Sequence, residues 1–153
     1  MKSKKILVLI LVSAILYICS CQNNEIKIFG LDEIPEKYIS FAVYGIDGEE
    51  IITDAFINFN YKKNISVADL SRDICRESGI PLVFSNTVMG TYVQGINSLF
   101  EFDNGAGSGW IYSVNGEYQG AGCGAYILSD GDCVEWRYTL DFGKDIGAFV
   151  LDE

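Results

Sequence analysis

Two runs of strict two-residue alternation, each with a tryptophan and a tyrosine on the same face, limit this chain more than any other feature. Gly109–Val114 places Trp110, Tyr112 and Val114 on one side and Ile111 and Ser113 on the other. That is the period of a half-buried strand. Asn115-Gly116 follows at once. Both residues tolerate positive φ, so the spacing predicts a type I′ hairpin turn. Asp130-Gly131-Asp132 marks a second turn. Beyond it Val134, Trp136, Tyr138 and Leu140 alternate with Cys133, Glu135, Arg137 and Thr139. Two such strands predict a shared aromatic layer.

The stretches upstream supply what that layer packs against. Tyr38 to Asp47 and Glu49 to Asn60 read as two strands joined by a turn at Gly48. Ser66 is a good helix N-cap, and Asp69 three places on completes an approximate capping box. Val67, Leu70, Ser71, Ile74 and Cys75 then share one helical face, Gly79 ends the helix, and Pro81 forbids its return. Leu82 to Ser85, Thr87 to Val93 and Ser98 to Phe102 read as short strands. The sum is an α+β, β-grasp-like domain over 38–142: a β-hairpin, one amphipathic helix and several further short antiparallel strands.

The ends read differently. Lys2, Lys4 and Lys5 precede an uncharged run, Ile6 to Ile18, too short for a permanent span but suited to a signal h-region. Ile18-Cys19-Ser20-Cys21 fits a bacterial lipoprotein cleavage box, predicting a signal peptide over 1–20 and acylation at Cys21. A plain secretory signal with incidental cysteines is the alternative. Residues 21–37 read as a lipidated tether and 143–153 as an acidic tail. These features predict an exported chain held by lipid on the outer face of the bacterial cell membrane. Cleavage before Cys21 leaves 8 Lys+Arg against 21 Asp+Glu, a net of −13. Such a surface disfavours nucleic acid and anionic lipid headgroups as partners. Cys123 and Cys133 flank a turn and are candidates for a bridge, while Cys75 reads as a buried thiol.

The run S-G-W-x-Y-S-V-N-G, followed by D-G-D-x-V-E-W-R-Y, resembles the transcobalamin C-terminal-like family. That is a bacterial surface domain of largely unknown function. It is similar to the cobalamin-covering end domain of animal transcobalamin and intrinsic factor. The resemblance is densest over Ser108–Tyr138 and extends more loosely back to Phe41, through Ser66–Leu70 and Tyr92–Leu99. It implies a β-grasp-like fold and a flat corrinoid ligand such as cobalamin. The chain departs from the carriers in lacking their large helical domain. It also departs in placing Ile111 where they carry a polar side chain.

The chain has no histidine, which removes Ser-His-Asp and Cys-His catalysis and the usual zinc enzyme sites. Asp130 and Asp132 read as turn formers rather than an acid–base pair. Asp103, Asn104 and the acidic tail lack calcium-loop spacing. Neither Gly105–Gly109 nor Gly120–Gly124 sits between a strand and a helix, as a phosphate loop requires. Their expected role is close backbone approach, to a strand or to a ligand. Trp110, Tyr112, Trp136 and Tyr138 suit a core. Trp110, Tyr112, Tyr118, Gly120, Gly122 and Tyr126 are the candidate ligand-binding residues, with Tyr92 a further candidate for the rim. Two readings stand: a non-catalytic ligand-binding module, or a surface module for protein docking or adhesion. An enzyme is not expected.

Overall fold

The structure, a computed structural model, describes residues 26–88 and 90–148. The expected signal peptide and Cys21 lie outside the described residues, as does the end of the tail from 149 onward.

Ten elements form the domain: β1 (Ile28–Phe29), β2 (Tyr38–Tyr44), β3 (Glu50–Asn58), α1 (Val67–Glu77), β4 (Leu82–Thr87), β5 (Gly90–Ile96), β6 (Leu99–Phe100), β7 (Gly109–Val114), β8 (Glu117–Tyr118) and β9 (Cys133–Thr139). Six strands make one sheet in the order β1-β3-β2-β9-β7-β8, and β4-β5-β6 make a second, smaller one. The fold is thus mixed α+β, with one α-helix among the described residues.

At the centre of the main sheet β2 and β9 run parallel, Ser40 opposite Cys133 and Tyr44 opposite Arg137. Every other pairing is antiparallel. The alternating runs fall in register, Trp110 opposite Tyr138 and Tyr112 opposite Trp136. Each pair has ring centroids 5.2 Å apart, so the aromatic layer forms as the pattern predicts. Asn115 and Gly116 carry φ of 55° and 81°, as a type I′ turn demands.

The capping box forms too. The Ser66 hydroxyl accepts from the Asp69 N–H at 3.1 Å, and the Asp69 carboxylate accepts from the Ser66 N–H at 3.3 Å. The face from Val67 to Cys75 is buried. There Leu70 and Ile74 meet Ile39, Phe41 and Val43 of β2 and Trp136 of β9 in one core. Burial of each such side chain contributes about 1.5–3 kcal/mol. One polar link fixes how the helix lies. The Trp136 indole N–H donates to the Ser71 hydroxyl at 2.9 Å, and that hydroxyl donates to the Val67 carbonyl at 2.8 Å.

Two expectations need correction at the domain's ends. Residues 26–37 are not a free tether. Ile26 is buried, and β1 adds to the sheet edge with Ile28 opposite Ile57 and Phe29 opposite Phe56. These apolar residues gain more from covering the sheet than from water. Residues 143–148 are likewise held to the domain rather than trailing as a tail. The Asp145 carboxylate accepts from the Thr139 hydroxyl and, at 2.8 Å, from the Leu140 N–H, while the Tyr118 hydroxyl donates to the Ile146 carbonyl at 3.1 Å. The candidate bridge does not form: Cys123 is buried, Cys133 is exposed, and both are free thiols.

Candidate functional site

The chain leaving β8 runs back across the domain as a glycine-rich loop, and hydrogen bonds fix its course. The Gln119 N–H donates to the Tyr112 carbonyl at 3.2 Å. The Tyr112 hydroxyl donates to the Ala121 carbonyl at 2.9 Å. Further on, the Cys123 thiol donates to the Thr91 carbonyl at 3.2 Å. The Cys123 and Tyr126 carbonyls then accept from the Ala68 and Val67 N–H groups, both at 3.0 Å. The loop therefore ties β5 to the first turn of α1, whose free N–H groups need acceptors.

Gly122 is where the loop meets β5. A Cβ there would stand 2.8 Å from the Thr91 carbonyl oxygen and 3.0 Å from its nitrogen. Only glycine allows the two backbones this close. Gly122 thus makes the close strand approach, one of the two roles expected of the glycine run, whereas a Cβ at Gly120 would meet nothing within 4 Å.

Between this loop, β5 and β7 lies a cleft of about 440 Å³. Its volume is within the range of small-molecule sites. Trp110 and Tyr112 supply edges of the aromatic layer, Tyr92 and Val93 the β5 wall, and Gly120 and Gly122 the loop wall. Thr87 and Gln119 are polar side chains at its margin, and among the described residues no charged side chain lines it. Burial pushes the Tyr112 phenol up to about 12, with smaller contributions from Cys123 and Tyr126, so it stays protonated and keeps its bond to Ala121. Burial likewise pushes the Cys123 thiol up to about 11, so at neutral pH it is no thiolate nucleophile. The cleft can hold a flat, uncharged group through dispersion and backbone contacts. It offers neither an acid–base pair nor an activated nucleophile. Among the described residues no cluster of three or more His, Cys, Asp or Glu is placed to hold a metal ion.

Of the six candidate ligand-binding residues, the cleft gathers Trp110, Tyr112, Gly120 and Gly122. Trp110 and Tyr112 serve both readings, being buried core members whose edges form its floor. Tyr118 is placed elsewhere. It sits opposite Ser113, and its hydroxyl reaches Ile146. Burial raises its phenol first, with Arg137 and Glu135 as charged neighbours. Tyr126 packs against the core beside α1 and does not line the cleft. The sequence reasoning missed Thr87 and Gly90 on the facing wall. Gly90, with φ of 112°, falls inside the expected strand Thr87 to Val93, whereas the structure starts β5 there.

A larger hollow of about 510 Å³, lined by Tyr44, Asp47, Arg137 and Asp145, is more polar. Its one cation is already engaged: Arg137 pairs with Glu135 and stacks on Tyr44 at 4.8 Å.

Fold and cleft together define a small α+β domain with an uncharged, aromatic hollow beside its main sheet. Residues 66–139 match the family described as a domain of unknown function, DUF4430. That span is just under half of the chain and contains every cleft residue, while β1 to β3 fall outside it. Among solved structures the chain is similar to that of a proposed metal-binding protein from Ruminococcus gnavus ATCC 29149, with a TM-score of 0.51 and 17% identity. The match covers 68% of this chain and 97% of that one, and it is a likeness of fold. No curated protein matches the chain.

Proposed function

We propose that this chain is a non-catalytic binding module that takes a flat, uncharged small molecule in the cleft between β5 and the Gly120–Cys123 loop. The observation that carries this reading is the lining: aromatic edges and glycine backbone around about 440 Å³, with no charged side chain among the described residues. A corrinoid such as cobalamin is the ligand that the transcobalamin-like motifs favour. It is larger than the cleft, which would cover part of one face and leave the rest to a partner. The β-grasp reading draws support from the parallel β2–β9 centre, flanked by β3 and β7. Metal binding, the role proposed for the Ruminococcus gnavus protein, finds no donor set among the described residues. The lipid anchor at Cys21 and a place on the outer face of the membrane complete the proposal. Among the described residues no helix is long and apolar enough to cross a membrane, which leaves a lipid anchor as a separate question.

Titrating the purified chain with cobalamin, while following the corrin spectrum and tryptophan fluorescence, tests the ligand. A saturable change is expected; none at millimolar ligand would end the corrinoid version. Gly120→Leu tests the site. A Cβ there meets nothing within 4 Å, so folding should be kept while the new side chain competes with ligand. Affinity unchanged by this variant would move the site elsewhere.

The second reading, protein docking, is favoured by one observation. Phe102, Leu140 and Phe142 are all exposed. Binding to a protein surface that survives when Gly120→Leu fills the cleft would support it.

A further inference from the structure

The cleft does not end at Trp110. A second hollow of about 180 Å³ shares Tyr92, Val93, Trp110 and Ile111 with it and continues to Phe102 and Phe142. The two form one groove between β5 and β7, which belong to different sheets and share no ladder.

Trp110 lines both hollows and stands where they meet. The carbonyls of Ser108 and Tyr112, two residues to either side, accept from the Phe102 and Gln119 N–H groups at 3.0 and 3.2 Å. Strand alternation turns the Trp110 N–H and C=O to that same edge, away from β9. No backbone partner from β5 meets them. One donor and one acceptor therefore sit between two apolar hollows, at a β-edge that an incoming amide can use.

The far hollow is built in an unusual way. Phe102 and Phe142 have φ of 68° and 49°, a left-handed backbone that bulky residues rarely adopt. Each is nonetheless more than 60% exposed, the Phe142 ring resting against Gly107. Their N–H groups donate to the carbonyls of two adjacent residues, Ser108 and Gly107, at 3.0 and 2.8 Å. Backbone held in this sparsely populated region clusters at ligand-binding sites. The one charged residue in this lining, Glu101, is already engaged: its carboxylate accepts from the Tyr92 hydroxyl at 3.3 Å and the Gln94 amide at 3.0 Å.

We propose that the groove holds an elongated, uncharged ligand in two subsites. A flat group occupies the cleft, an amide-like link pairs with the Trp110 main chain, and an apolar ring rests on Phe102 and Phe142. This rests on the binding reading of the cleft and adds the shape and linkage of what binds there.

Two neutral probes test the second subsite: 1-naphthamide, whose ring fills the cleft and whose amide meets the Trp110 main chain, and N-phenyl-1-naphthamide, whose added ring reaches Phe102 and Phe142. Quenching of tryptophan fluorescence reads both. The wild-type chain should bind the phenyl amide about tenfold more tightly, the gain from burying one further ring. The double variant Phe102→Gly, Phe142→Gly should bind both amides alike, at the wild-type strength for 1-naphthamide. Its thermal midpoint should stay within about 2 °C of wild type, since glycine accepts positive φ. Equal binding of the two amides by the wild-type chain, or an intact tenfold preference in the variant, would overturn the second subsite alone. A midpoint several degrees lower would do the same, marking the rings as packing. If neither amide binds the wild-type chain, the cleft reading falls with it.

Discussion

Under α1, polar groups are few and each is answered. Ser71 links the Trp136 indole to the Val67 carbonyl, Ser66 and Asp69 close the helix end, and the rest of that face is aliphatic but for the Cys75 thiol. The groove between β5 and β7 reverses these habits. Its walls are glycine backbone and half-covered rings, a strand edge is left open, and two phenylalanines stand exposed in left-handed backbone. One region minimises free energy locally; the other tolerates strain and solvent-facing apolar surface. A domain whose stability is settled on one side can keep an imperfect, adaptable surface on the other, and binding sites draw on such regions.

The sharpest way to break this comparison is at Trp136, which belongs to both regions. Trp136→Ala removes the largest fully buried side chain and takes the indole donor from the Ser71 hydroxyl, which keeps its bond to the Val67 carbonyl. A loss of about 3–5 kcal/mol is expected in chemical denaturation. A loss under about 1 kcal/mol would mean that the helix is not held as described. Gly122→Ala probes the groove wall instead. Its Cβ would meet Thr91 backbone, which cannot swing aside as a side chain can. Overpacking of that kind costs about 1–3 kcal/mol, and the loop should separate from β5, abolishing ligand binding before the fold is lost. Hydrogen exchange confined to residues 90–93 and 119–125 would read it. A neutral outcome would open the loop to other side chains and weaken the cleft.

The smallest effect concerns acid. Burial alone would raise the Asp69 carboxyl, but hydrogen bonds from Ser66, together with Lys62 and Arg72, outweigh it and hold the group below the usual carboxylate range. A depressed folded pKa contributes stability above the unfolded value, near 3.8, and loses it as pH falls through the folded one. Denaturation followed between pH 6 and pH 2 should show that loss in the wild-type chain and less of it in Asp69→Asn. Parallel curves would remove Asp69 from the account.

Legibility in the sequence followed distance along the chain. The helix, β7 and β9 were readable because their signals are local: a two-residue period, an Asn-Gly turn, a serine three places before an aspartate. β1 was not, since two residues, Ile28 and Phe29, carry no period, and their partners are Ile57 and Phe56. Tyr118 and Tyr126 were placed at the cleft because they neighbour glycines in sequence. The β8 pairing and the contact with α1 turn them elsewhere. The groove itself joins residues from β5, β7 and the 119–123 loop, brought together only by the tertiary fold.

The parallel pairing of β2 with β9 also sets a timetable. Ser40 must find Cys133 across more than ninety intervening residues. The sheet therefore cannot close until synthesis has delivered its last strand, and a chain with such distant contacts folds slowly. Any machinery that threads an extended polypeptide through a narrow passage would meet this one before it had set.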